Sequence, residues 1–228
     1  MKTLRFLLLA TAFASTSAAA ADKREPRPAT GFTSVMLSAP VRLEVVQGNS
    51  EGLVLQGDER DLADIESLVE GGVLKVRLRP GLRYFNPGPI TGTVSLRKVE
   101  SLGIHGTGDI TAGKLASEAL AVSIHGSGDL RIGALSAARL ESNIHGSGNI
   151  ALAGTAERLA VRIAGSGDVR AADLESREVS VNIAGSGDAS VWAREQLKVN
   201  IAGSGDVRYR GEAKVAPAIL GSGTVKRL

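Results

Sequence analysis

The chain contains no cysteine. Disulfides, thiolate metal centres and a cysteine nucleophile are therefore excluded, and stability must come from packing and backbone pairing. Aromatic residues make up only 3% of the 228 positions, too few for a bulky globular core. No segment after the first residues approaches the roughly 20 apolar residues that a membrane-spanning helix demands. An excess of one charge sign is missing too. The 27 Lys and Arg face 24 Asp and Glu, and without Lys2 and Arg5 of the leader the basic count is 25. Nucleic acid is thereby a poor partner. What is abundant is glycine, at 28 residues in a chain that is 43% hydrophobic, a balance that suits thin, repetitive β structure.

The first residues read as an export signal: "MKTLRF" carries the charge, "LLLATAFA" the apolar stretch and "STSAAAAD" the small residues before cleavage at Ala20 or Ala21. Residues 1–21 are thus a leader, and the mature protein is expected in the periplasm or secreted. "DKREPRPATG", residues 22–31, is charged and Pro-containing and reads as a solvated linker. A single β-solenoid domain is expected over 32–228, with irregular rungs to residue 99. Within them "DERDLADIESLVEGG" places Leu62, Ile65, Leu68 and Val69 at helical spacing, which predicts one short helix over about 60–70 whose apolar face covers the sheet.

From Glu100 the sequence repeats. "SLGIHGTGDI", "AVSIHGSGDL", "ESNIHGSGNI", "AVRIAGSGDV", "SVNIAGSGDA", "KVNIAGSGDV" and "APAILGSGTV" put their first glycines at 106, 126, 146, 165, 185, 203 and 221. The spacing of 18 to 20 residues is about one solenoid coil. Two places before each of these glycines stands an Ile: 104, 124, 144, 163, 183, 201 and 219. With coils about 4.8 Å apart, these side chains stack into one interior ladder, and Ile110, Leu130, Ile150, Val169, Ala189, Val207 and Val225 form a second. Ser123, Asn143, Arg162, Asn182 and Asn200 alternate with them and face outward. The fold class is all-β, a single-stranded β-helix.

The Gly-rich turns invite a chemical reading. A phosphate cradle needs a helix after the loop, but "LRI", "VRA" and "VRY" follow here and read as strand. Asp109, Asp129, Asn149, Asp168, Asp188, Asp206 and Thr224 form an acidic column whose neighbouring carboxylates repel by roughly 0.9 kcal/mol in water. Each Asp is expected to cap its own turn by accepting backbone N–H groups, a cation ladder being the other reading. His105, His125 and His145 form a shorter column, read as a stacked polar corner or, with Asp109 and Asp129, as metal ligands. Arg131, Arg170 and Arg208 share one outward position, and Tyr84 and Phe85 lie in a loop, "RYFNPGP", that leaves the body of the fold. These five are the binding candidates. Trp192 and Tyr209 are scattered and read as covers on core edges. No cofactor is expected.

The set formed by an export leader, "FTSVMLSAPVRLEVVQGN", a helix before "GGVLKVRL", and iterated "GSGD" turns resembles the head GIN domain family of bacterial auto-transporter adhesins, over residues 31–228. The resemblance implies a right-handed β-helix in an envelope or secreted protein and carries over no catalytic residues. The chain ends in "VKRL" without barrel-forming strands, and it has no lipobox cysteine, so export by the leader alone is expected. The resulting expectation is a non-catalytic module, a monomer or small oligomer, that recognises an envelope glycan, a cell-wall component or a protein. The alternatives are a carbohydrate-active enzyme using the Asp and His columns, and a self-associating structural element. Pro217, Lys226 and Arg227 in the last rung oppose further stacking.

Overall fold

The computed structural model describes residues 22–82 and 87–228. The leader, Tyr84 and Phe85 lie outside the described residues. In chain order the elements are β1 (Asp22–Arg27), β2 (Ser34–Ser38), β3 (Arg42–Gln47), β4 (Gly52–Asp58), α1 (Glu59–Ala63), β5 (Ile65–Glu70), β6 (Val73–Leu78) and β7 (Thr91–Leu96). The repeat follows as β8 (Ser101–Gly106), β9 (Asp109–Gly126), β10 (Asp129–Gly146), β11 (Asn149–Gly165), β12 (Val169–Gly185), β13 (Ala189–Gly203), β14 (Val207–Arg210), β15 (Lys214–Gly221) and β16 (Val225–Arg227).

The repeat builds a parallel β-solenoid in which one long, bent strand makes most of each coil. Ile104 pairs with Ile124, Ile124 with Ile144, Ile144 with Ile163, Ile163 with Ile183, Ile183 with Ile201 and Ile201 with Ile219. The first six are at most 2% exposed, and Ile110, Leu130, Ile150, Val169, Ala189 and Val207 are buried beside them. The bends are legible in the burial alternation of β10. Inward Leu130 and Ile132 are followed by two exposed residues, Gly133 and Ala134. Leu135 and Ala137 then turn inward before exposed Ala138 and Arg139, and Leu140, Ser142 and Ile144 complete the coil. Each break in alternation turns the chain, so a coil has three sides around one aliphatic core.

Ser142 stands in a column of valines, between Val122 and Val161, and is fully buried with no hydrogen-bond partner for its Oγ. A buried hydroxyl without a partner is destabilising, whereas an aliphatic group of similar shape is not. Ser142→Val is expected to stabilise the fold by about 0.5–2 kcal/mol, read as a higher urea midpoint at unchanged slope.

The N-terminal part corrects two expectations. Residues 22–31 are not a free tether, because β1 pairs antiparallel with β4 from Asp22 opposite Asp58 to Arg27 opposite Leu53. The Arg27 guanidinium donates to the carbonyls of Leu62 and Ile65 at 2.8 and 3.1 Å, and Ala29 is buried. Charges and a proline are what an exposed edge strand carries, so edge and tether have the same composition. The helix is also shorter than expected. It ends at Ala63, with Asp58 capping Arg60 N at 2.9 Å, and Ile65–Glu70 is a strand paired antiparallel with β6. Gly71 and Gly72, just past the expected helix, form the hairpin turn between β5 and β6 with φ of 57° and 76°.

The coil of β2 and β3 is inserted between two others: β2 pairs with β6 and β8, and β3 with β7 and β9, all in parallel. Beyond it lie the antiparallel pairs β4–β7 and β5–β6. They close this end of the stack, with Leu53, Leu55, Leu62 and Ile65 buried beneath.

Candidate functional site

At four successive corners the Ser and second Gly amides of the Gly-Ser-Gly turn already have acceptors. Ser127 N and Gly128 N both donate to Gly106 O, at 2.9 and 3.2 Å, and Ser147 and Gly148 do the same to Gly126 O at 2.9 and 3.1 Å. The bonds recur at Gly146 and Gly165. An anion cradle needs these N–H groups free, and the stacking uses them. The corner is structural.

The acidic column caps in a different direction from that expected. Asp109 Oδ1 accepts from Asp129 N at 3.1 Å, Asp168 Oδ1 from Asp188 N at 3.2 Å and Asp188 Oδ1 from Asp206 N at 2.8 Å. The acceptor therefore serves the next rung, not its own turn. Asn149 donates its amide to Asp129 Oδ1 at 2.9 Å, and Thr224 gives both N–H and hydroxyl to Asp206 Oδ1 at 2.9 and 2.8 Å. The remaining charge is balanced laterally. Arg131 and Arg170 bind Asp129 and Asp168 at 2.7 and 3.1 Å, and Arg208 lies 3.9 Å from both Asp188 and Asp206. Burial alone would raise the Asp129 pKa, but hydrogen bonds from Asn149 and Arg131 hold it below the ordinary value. The Asp206 carboxyl is held low by its two bonds from Thr224.

His105, His125 and His145 are exposed and form a column: His105 meets His125 edge-on at a centroid distance of 4.8 Å, and His125 stacks on His145 at 4.9 Å. No group of three metal-ligating side chains converges among the described residues. Desolvation, then the two flanking imidazoles, push the His125 pKa below its ordinary 6.5. With the folded value depressed, the unfolded chain takes up the proton first. The stability contribution is thus complete above pH 6.5 and is lost as pH falls through the folded value. The parent's Tm is expected to drop between about pH 7 and 5, a range above the carboxylate titrations, and His125→Ala to flatten that drop. Equal pH profiles for the two proteins would refute the coupling.

Tyr209 packs against the core opposite Val191 of the adjacent rung, and Trp192, opposite Arg210, is half-buried. A groove of about 550 Å³ instead runs along one outer side. Past His145 the column continues as Ala164, Ala184 and Ala202, whose small side chains leave a depression with His145 and Arg162 at one end and Leu220 at the other. Along it lie the amides of Asn182 and Asn200, joined at 2.9 Å. Arg162 reaches Glu141 at 3.5 Å. Sequence reasoning had the residues but not the groove; the signal was the change from His to Ala at a fixed column position.

Residues 31–213 match the family model described as putative auto-transporter adhesin, head GIN domain. The chain belongs to the head GIN domain family. No curated protein sequence matches it. Among solved structures, this head GIN domain is similar to a putative adhesin from Bacteroides fragilis at 21% identity and TM-score 0.88, over 92% of this chain and 98% of the other. A protein from Parabacteroides distasonis described as a putative lipid binding protein matches at 24% identity and TM-score 0.73, over 91% and 96% of the two chains. A putative adhesin from Parabacteroides merdae matches at 22% identity and TM-score 0.73, over 91% and 95%. At these identities the likeness establishes the head GIN fold, a β-solenoid.

In this head GIN domain the predicted site residues separate into structural sets. Asp109 accepts from the rung backbone and lies 3.8 Å from Arg42, Arg131 pairs with Asp129, and Arg170 and Arg208 pair with Asp168 and Asp206 of the same acidic column. His145 is the one His among them that borders the groove.

Proposed function

We propose that the protein is an exported, non-catalytic adhesin-like module that holds an extended envelope ligand, a glycan, cell-wall strand or protein segment, along the groove between His145 and Leu220. The observation that carries this reading is the groove itself: an apolar Ala floor that repeats rung by rung beside a line of Asn amides. A polymer with its own short repeat is matched by such a lattice, since each rung offers the same contact again. Support for binding over catalysis comes from the acidic column, whose carboxylates accept rung N–H groups and so are poorly placed to shuttle protons.

The test is binding to a glycan array and to purified peptidoglycan, together with the Ala184→Trp variant, which fills the groove from an outward position. The parent is expected to be retained without releasing reducing sugar, and Ala184→Trp to bind roughly tenfold or more weakly at unchanged Tm. Product release, or binding indifferent to the filled groove, overturns the reading.

A further inference from the structure

A second hollow, of about 270 Å³, lies on the same outer side of the coil as the groove, toward the bend at Ala138 and Arg139. Register and alternation build it. Glu141, Ala160, Ser180 and Lys198 follow one another from β10 to β13. Arg139, Arg158, Glu178 and Gln196 form the outward column beside them. Ala160 and Ser180 are the shortest of these side chains and floor the hollow. Glu141, which lines the hollow, is ion-paired at 3.5 Å with Arg162, which lines the groove, so the pair separates the two.

The charges around the hollow do not cancel. Arg139 lies in register with Arg158, and like charges at facing positions repel. Both carboxylates are held from outside: Glu141 by Arg162, and Glu178 by Arg177 at 2.7 Å, against 3.7 Å for Arg158. Arg139 and Lys198 have no ion pair or side-chain hydrogen bond among the described residues, and neither have Ser180 and Gln196. Lys198 acts on Glu178 only beyond ion-pair distance. Excess positive charge therefore stands at both ends of the hollow, with a hydroxyl and an amide between them that donate and accept. Three rungs separate Arg139 from Lys198, about 14 Å at the backbone, so one carboxylate does not reach both.

We infer that this hollow binds a short stretch of an acidic glycan, with one sugar carboxylate on Arg139 and Arg158, another on Lys198, and the hydroxyls between them on Ser180 and Gln196. An isolated phosphate or carboxylate is a poorer occupant, because it fills one end only. So is an acidic peptide: extended peptides gain affinity from a free strand edge, whereas β11 and β12 are paired on both sides here.

The probes are a labelled galacturonate tetramer, its methyl ester, which keeps the sugar chain and removes the charge, and a labelled tetraglutamate. Followed by fluorescence anisotropy, the acid tetramer is expected to bind the full chain saturably, and the ester and the peptide roughly tenfold or more weakly. Arg139→Ala with Lys198→Ala should weaken binding of the acid roughly tenfold at unchanged Tm and leave the ester as it was. Lys98→Ala with Lys114→Ala removes the same charge elsewhere and should change neither, which separates the site from bulk attraction. Ala184→Trp should leave tetramer binding intact, so the hollow and the groove fail or stand independently. No saturable binding, equal binding of acid and ester, tetraglutamate binding as tightly as the tetramer, an equal loss in the Lys98 and Lys114 variant, or loss in Ala184→Trp overturns the inference.

Discussion

Ile144→Asp is expected to abolish the cooperative thermal transition. Ile144 is fully buried, with Ile124 on one side and Ile163 on the other in the same ladder. An aspartate there loses the transfer energy of the side chain, about 2–3 kcal/mol, and places a carboxylate where no cation or N–H is aimed at it. The group escapes only by taking a proton or by prising two rungs apart, and either costs several kcal/mol against a total stability of about 5–15 kcal/mol. Ile144→Val keeps the column and should cost about 0.5–1.5 kcal/mol. A parent-like melting curve for Ile144→Asp, by circular dichroism, would show that the ladder is not the core.

The second large effect is at the corner glycines, where two costs can be separated. Gly106 and Gly165 both have positive φ, 111° and 133°. A Cβ on Gly106 meets nothing within 4 Å, whereas one on Gly165 collides with the Gly146 carbonyl of the preceding rung. Gly106→Ala therefore measures backbone strain alone, about 1–3 kcal/mol. Gly165→Ala adds the stacking clash, roughly 1–3 kcal/mol more, and must push rungs apart where Ser166 and Gly167 donate to Gly146 O at 2.9 and 3.1 Å. The difference between the two variants in urea denaturation is the expected signature, and equal losses would place the cost in φ only.

The interior was legible because it is written in a repeating pattern. Alternation decides which side chains face inward, and a fixed spacing between glycines brings identical positions into register, so the Ile column follows from residues alone. Ser142 shows the limit of that reading: its parity puts it inside, but only the packed rung reveals a hydroxyl with no partner. The Asp column was legible as a column and misjudged in direction, because a carboxylate near a Gly turn reaches N–H groups of its own turn in any local view. The backbone N–H groups that Asp168 and Asp188 accept belong to the adjacent rung. Ile65–Glu70 failed for another reason. Its apolar spacing fits a helix, while pairing with β6 supplies hydrogen bonds that no local pattern announces.

By itself, the order of residues determined the coil period, the glycine corners and the identity of the stacked aliphatic columns, since each depends on spacing along one strand. Pairing across rungs decided the rest: the insertion of β2 and β3 between later coils, the conversion of a charged tether into edge strand β1 and the groove beside the Ala column. The physical reason is that period and parity are properties of one chain segment, whereas a hydrogen-bond partner or a solvent-facing hollow exists only once distant segments lie side by side.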